Sequence, residues 1–261
     1  MDRNRIDKIA QTQEDKLLLA KLWDKIQTGL QKNILAYTCF LSPRELQLSE
    51  YLFGTFDGLH RFGGYSDAER KMLVFLPEYL NNDFLYDDES PVVCLRASYY
   101  QEDTLTHRDF LGALIGSGIT RESVGDILVG EGTCDFFVTP QVAPFLLQGF
   151  ESAGRTKLKV EQIPLSQVSL PAPKLTEIRD TVASIRLDSI VSSGFRISRS
   201  HACDAIAAGR VSIDGVPCQK PDHSLTEGCK IACRGLGKIR FTQIGRKTKK
   251  DRISVILHRY E

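Results

Sequence analysis

Between residues 186 and 210 the chain concentrates side chains that suit a phosphate. Arg186, Arg196, Arg199 and Arg210 supply guanidinium forks, His201 a ring donor, and Ser198 and Ser200 hydroxyls. A guanidinium meets two phosphate oxygens at once and a hydroxyl meets one, so such a set holds a polyanion without reading its sequence. Lys220, Lys238 and Arg240 follow, and then a basic loop, GRKTKKDR at 245–252, with Arg246, Lys247, Lys249 and Lys250. Arg199 is the best placed, because it opens a helix whose dipole adds to its own charge.

Other combinations could do different chemistry. His107-Arg108-Asp109 matches the catalytic-loop triplet of protein kinases, but the position five residues after Asp109 holds Leu114 where an Asn is needed, and no glycine-rich phosphate loop precedes it. A helix start with Thr106 as N-cap and Asp109 near the positive dipole end accounts for these residues, and His107 and Arg108 could still meet a phosphate there. Arg186-Leu187-Asp188 matches the catalytic Asp segment of some pseudouridine synthases, yet only about 75 residues follow where a large separate domain is required; a helix-cap or salt-bridge role suits Asp188 better. Gly63-Gly64, flanked by Arg61, Arg70 and Lys71, forms either an anion nest or a tight turn, and the turn is the simpler reading. Cysteines 39, 94, 134, 203, 218, 229 and 233 lack zinc-ligand spacing. With no carboxylate pair or Ser-His-Asp set at an arguable spacing either, the expectation is a protein without catalytic residues, metal or cofactor.

The elements that must position the basic cluster are legible. Leu187, Ile190 and Val191 make one helical stripe, and Ala202, Ala205 and Ile206 a second. Ser198 stands as N-cap of the second helix, Gly209 ends it, and Asp214-Gly215 turns the chain after the strand Val211-Ser212-Ile213. Cys229, Ile231 and Cys233 alternate on one buried strand face; strands at 238–244 and 253–258 follow.

Upstream, residues 1 to about 31 read as helical through Leu17, Leu18, Leu22, Trp23, Ile26 and Leu30, and a second helix opens at Ser42-Pro43-Arg44-Glu45. Residues 72–77, MLVFLP, are apolar throughout and fit a strand or a helix start. From residue 90 the order is strand 92–99, helix 106–116 with Phe110, Leu111, Leu114 and Ile115 inward, strands 127–129 and 134–139, helix 142–153 and strand 157–163. That is the β-α-β-β-α-β, ferredoxin-like order. The expected class is therefore α+β, with a mainly helical region at 1–85, a ferredoxin-like domain at 86–164, a proline-bearing linker at 165–178 and a basic C-terminal domain at 179–261.

Charge divides along the same line. Residues 179–261 carry 16 Lys+Arg against 8 Asp+Glu, whereas residues 1–178 carry 18 against 25, behind an overall charge of only +1. Such asymmetry marks a polyanion-facing module joined to an acidic one. No apolar run approaches the roughly 20 residues of a membrane span, and the charged start MDRNRIDKIAQTQEDK lacks a signal's apolar region, so neither membrane insertion nor export is expected.

The segment RLDSIVSSGFRISRSHACDAIAAGRVSIDG at 186–215 resembles the S4 RNA-binding domain, with RLD, a spaced Gly, SR, an Ala-containing helix, G-x-V and a turn Gly. FLSPRELQL at 40–48, RFGGYSDAERK at 61–71, LTHRDFLGALIGSGITRESVGDILV at 105–129, the VEQI segment and TKKDRISVILHRY extend the resemblance to the YlmH-type family of S4-domain RNA-binding proteins, some of whose photosynthetic members are called photosystem II S4 domain proteins. Asp251 stands where that pattern has glycine. The resemblance implies an N-terminal helical part, a ferredoxin-like domain and a C-terminal S4 (αL-type) RNA-binding domain. It implies non-catalytic binding of structured RNA, rRNA or tRNA, with the large ribosomal subunit as partner and no DNA specificity. It places the protein in the cytoplasm, or in the stroma if plastid-derived. An S4-containing modifying enzyme and a photosystem II assembly factor are the alternatives. On this view Arg61, Arg70, Lys71, His107 and Arg108 are secondary RNA contacts, and Tyr99, Tyr100 and Phe137 are the aromatics that stacking would use.

Overall fold

The computed structural model describes residues 5–168, 170, 175–248 and 251–260. The chain divides into two compact units, Met1–Pro171 and Ala172–Glu261.

The first unit opens with α1 (Ile6–Ile9) and α2 (Gln13–Lys32), followed by β1 (Ala36–Tyr37), α3 (Pro43–Phe53), β2 (Leu59–Phe62) and β3 (Met72–Phe75). Ser42 caps α3 as its sequence requires: the Ser42 amide donates to Glu45 Oε2 at 2.6 Å and the Glu45 amide to Ser42 Oγ at 3.4 Å. The region is not purely helical, because its strands form an antiparallel sheet in the order β1-β3-β2. Strand β3 explains why MLVF carries no period: Leu73 and Phe75 pack toward α2 and α3, while Met72 and Val74 pack the other way. Leu17 is solvent-exposed and Leu19 fills the core position instead.

The unit continues with β4 (Val93–Ser98), α4 (His107–Gly116), β5 (Val124–Val129), β6 (Thr133–Val138), α5 (Ala143–Gly149), the small hairpin β7 (Ser152–Ala153) and β8 (Thr156–Lys157), and β9 (Lys159–Ile163). The sheet order β5-β6-β4-β9, antiparallel at every pair, is the ferredoxin-like arrangement. Helix α5 ends at Gly149, four residues before the expected end, and Ile115 faces solvent. Phe110, Leu114, Phe136 and Leu146 form the core beneath α4 and α5. The opposite face, with Cys94, Phe137 and Ile163, packs on Phe62, Met72 and Val74 of the first sheet. The segments expected as separate regions, 1–85 and 86–164, thus share a core in layers of helix, sheet, sheet and helix.

The second unit contains β10 (Leu175–Val182), α6 (Leu187–Phe195), α7 (Arg199–Ala207), β11 (Val211–Ile213), β12 (Val216–Pro217), β13 (Lys230–Cys233), β14 (Gly237–Lys247) and β15 (Ile253–Tyr260). These strands form one antiparallel sheet, β10-β15-β14-β13-β11-β12. Helices α6 and α7 lie on one face, where Leu187, Ile190, Val191, Ala202, Ala205 and Ile206 meet Ile231, Ile239, Phe241, Val255 and Leu257. Asp214 and Gly215 both take positive φ, 48° and 83°, as the tight turn after β11 requires. Strand β10 begins at Leu175, inside the stretch expected to be linker, and pairs with β15 over eight residues. Residues 169 and 171–174 of that stretch lie outside the described residues.

Candidate nucleic-acid interface

Helices α6 and α7 meet at a corner built from Arg196, Ile197 and Ser198. Arg196 ends α6 in the left-handed region, at φ 53° and ψ 45°, where glycine is the usual residue. Ser198 then caps α7, its Oγ accepting from the His201 amide at 3.1 Å. The Arg199 and Ser200 amides, which no intrahelical carbonyl can reach, stand at the same exposed end with the helix dipole behind them. The start of α6 is closed instead: the Leu187 amide donates to the His223 carbonyl at 2.9 Å and the Asp188 amide to Pro221 at 3.0 Å.

Asp188 organises the arginines. Its side chain is 3% exposed and meets Arg186, with Nε 3.2 Å from Oδ1, and Arg199, with Nη2 2.8 Å from Oδ2. Burial pushes this carboxyl up, but hydrogen bonds and charge from Arg199, with the Arg186 charge, outweigh it and hold the group below the usual carboxylate range. Both guanidinium groups remain partly open, 38% for Arg186 and 53% for Arg199. A buried anion thus fixes one side of each fork while the other faces solvent.

A cleft of about 380 Å³ opens beside the corner, lined by Arg196, Arg199 and Arg252 together with Thr181, Ser189 and Ser192 among others. Arg252 is held there by Thr181, its Nε donating to Oγ1 at 3.0 Å and its Nη2 to the carbonyl. Ser193 Oγ donates to Asp180 at 2.7 Å, occupying the cleft's carboxylate. Arg252 was not singled out from the sequence, although it ends the basic GRKTKKDR stretch. In that loop Asp251 adopts φ 55°, supplying the conformation for which the family pattern uses glycine, and its carboxylate accepts from Lys247 Nζ at 2.9 Å.

Ser200 and His201 are exposed beside Arg199 at the start of α7, whereas the remaining candidates lie elsewhere: Arg210 is exposed beyond the other end of α7, and Lys220 in the loop after β12. Lys238 and Arg240 alternate with the buried Ile239 and Phe241, so they belong to the sheet face away from the helices. Arg246 and Lys247 are exposed at the far end of β14, while Lys249 and Lys250 lie outside the described residues.

The first unit redirects several expected contacts. Arg70 turns inward: its Nε donates to Val124 O at 3.0 Å and its Nη2 to Phe40 O and Arg121 O. Arg61 donates to Gly54 O at 3.0 Å, and Lys71 to Ser66 O at 3.4 Å. Gly63-Gly64 is a close-packed turn, since a Cβ on Gly64 would stand 2.5 Å from the Phe137 ring. His107 and Arg108 are exposed at the start of α4, where Asp109 accepts from the Thr106 amide at 2.8 Å. Phe137 is fully buried between the two sheets, so it cannot stack on a base.

Two family models match the chain, the S4 domain at residues 185–230 and one described as "Putative RNA-binding domain in YlmH" at residues 96–167. Among curated proteins, "Ribosome-associated protein quality control protein P2" of Bacillus subtilis (strain 168) is 33% identical over 224 residues, covering 85% of this chain and 86% of that protein. A solved structure, "Cell division protein ylmH from Streptococcus pneumoniae", is 24% identical with a TM-score of 0.48, over 61% of this chain and 98% of the other.

Proposed function

The chain belongs to the YlmH-type family of S4-domain RNA-binding proteins, and from that premise we propose that it binds structured ribosomal RNA or tRNA on the large ribosomal subunit through the exposed face of α6 and α7. The observation that carries this is the Arg186–Asp188–Arg199 arrangement. One buried carboxylate orients two half-open guanidinium groups toward solvent beside Arg196 and the free amides of α7. Such a constellation contacts phosphates and recognises backbone shape, which suits folded RNA whose deep groove side chains do not enter. The relative's ribosome-associated quality-control role supports translation quality control as the setting.

The protein acts by binding and not by catalysis. Asp188, which sits in the motif resembling a synthase's catalytic Asp, is buried and neutralised by two arginines, a poor state for a nucleophile. Asp109 of the kinase-like triplet is engaged with Thr106. Sedimentation of the protein with purified ribosomal subunits, together with crosslinking and sequencing of the bound RNA, tests the proposal. Reads mapping to large-subunit rRNA or tRNA are expected. Recovery of a modified nucleoside after incubation would overturn the non-catalytic part.

A further inference from the structure

Among the described residues of the second unit, both helices lie on one face of the sheet and none lies on the other. Inward residues of β15, β14 and β13, with Ile178 and Val182 of β10, meet α6 and α7. Their outward neighbours differ in kind. Lys230, Arg240, His258 and Glu177 stand directly across from one another on four adjacent strands, as cross-strand partners in register. Cross-strand partners hold their Cβ atoms about 5 Å apart, so this row is continuous. His258 Nδ1 lies 2.7 Å from Thr242 Oγ1, and its Nε2 lies 3.8 Å from Glu177. Arg179, beside Glu177 on β10, pairs with it at 2.5 Å. Next to the row, Lys238 Nζ sits 5.9 Å from the centre of the Tyr260 ring. Leu175 and Ile256 add apolar surface to the same face, and Leu175 is exposed.

The face is basic: Lys230, Lys238, Arg240 and Arg179 stand against Glu177, with Glu227 occupied by the Ile244 amide. It also carries an aromatic ring within reach of a cation. Basic side chains that track a backbone, next to a ring on which a base can lie, are what single-stranded nucleic acid needs, and an open antiparallel sheet presents them in one plane. The α6–α7 face instead offers arginines, His201 and helix amides, with no exposed Phe, Tyr or Trp among the described residues of the two helices, which suits the backbone of folded RNA. The two faces are separated by the sheet and the helix layer, so one straight duplex does not reach both.

We propose that the outer face of the six-stranded sheet is a second RNA surface, which takes an unpaired RNA segment over Tyr260 and Arg240, so that one molecule holds a folded and an unpaired RNA element at once. The proposal rests on the reading of the α6–α7 face as the site for folded RNA only in the claim of simultaneous holding. The sheet-face contact itself stands independently.

The test uses the full chain, a fluorescent 12-nucleotide oligouridylate and a separately labelled rRNA hairpin. The oligonucleotide is expected to bind protein already saturated with hairpin, giving one of each per chain. Arg240→Glu, at an exposed position, and Tyr260→Ala are each expected to weaken oligonucleotide binding about tenfold while leaving hairpin affinity unchanged. Ultraviolet crosslinks from the oligonucleotide should map to the peptide containing Tyr260. Mutual exclusion of the two RNAs overturns simultaneous holding. Unchanged oligonucleotide affinity in Arg240→Glu, or crosslinks confined to α7, overturns the sheet-face contact itself. If the hairpin fails to bind while the oligonucleotide binds and responds to both variants, the α6–α7 reading falls and the sheet-face contact stands.

Discussion

Asp188 and Arg199 meet across the α6–α7 corner through a single carboxylate oxygen, with Nε at 2.9 Å and Nη2 at 2.8 Å from Oδ2. The contact joins the start of one helix to the start of the next, and its acidic partner is buried. Arg199 is therefore structural and solvent-facing at the same time, which separates it from its neighbour Arg196, for which no ion pair is found among the described residues.

Arg196 is the cleaner probe of RNA contact. Its left-handed backbone costs an ordinary residue about 1 kcal/mol, a cost glycine does not carry. Arg196→Gly should leave stability unchanged or raise it by up to about 1 kcal/mol, while RNA affinity falls about tenfold with the loss of one charge-assisted contact. Urea unfolding and filter binding on the same preparation check both signs. A drop in stability at constant affinity would assign Arg196 a structural role only.

Asp188→Asn removes the charge but keeps the shape. A loss of about 1–3 kcal/mol in stability is expected, with weaker RNA binding as Arg186 and Arg199 lose their anchor. The pH dependence has a definite sign. The folded carboxyl titrates below its ordinary value, so its contribution is complete above the unfolded pKa near 3.9 and is lost as pH falls through the folded value. Acid titration followed by circular dichroism should show wild type losing this increment in that window, and Asp188→Asn lacking it.

Asp15 plays a comparable part in the first unit. It accepts two hydrogen bonds from Arg44, at 2.7 and 2.8 Å, and further ones from the Gln11 and Thr12 amides. Hydrogen bonding from Arg44, opposed by burial and helped by the Gln11 amide, the Arg44 charge and the Thr12 side chain, holds its pKa at about 2. Asp15→Asn should cost on the order of 2 kcal/mol at neutral pH, and the loss should shrink as pH falls from about 4 toward 2. Thermal denaturation at pH 7 and pH 3 measures the difference.

Arg70→Ala distinguishes a scaffold from a contact. Removing a guanidinium that serves three carbonyls should cost about 2–3 kcal/mol and leave RNA affinity within twofold. A normal melting temperature with weakened RNA binding would restore Arg70 as an RNA residue.

The charge partition predicts where non-specific affinity resides. Residues 172–261, which have their own core, should retain most of it, and residues 1–171 little. Log affinity should fall linearly with log salt, by about 0.7–0.9 per phosphate contacted. Equal affinity of the two fragments would refute the partition.

Local rules written into adjacent residues determined much of this protein in advance. The Ser42 and Ser198 caps, the Asp214-Gly215 turn, the stripes of α6 and α7 and the alternation of Cys229, Ile231 and Cys233 each depend on contacts a few residues apart, or on a periodicity that one buried face imposes. The order of elements between residues 92 and 163 was enough to place a ferredoxin-like sheet, and the resemblance of residues 186–215 carried the S4 unit. The tertiary structure decided what depends on distant partners. Strand β10 escaped notice because only Ile178 and Val182 of its eight residues are buried, so pairing with β15 defines it rather than its own pattern. MLVF had no period because both of its faces are covered. Arg70 and Arg199 look alike in a sequence, yet one was drawn inward by three carbonyls and the other left half-open by a buried carboxylate 11 residues away. Phe137 met the same fate as Arg70 once two sheets closed over it. The division of Lys238 and Arg240 from the helix-face arginines likewise came only with the sheet, because a strand's alternation says that neighbours part, not which layer lies on either side.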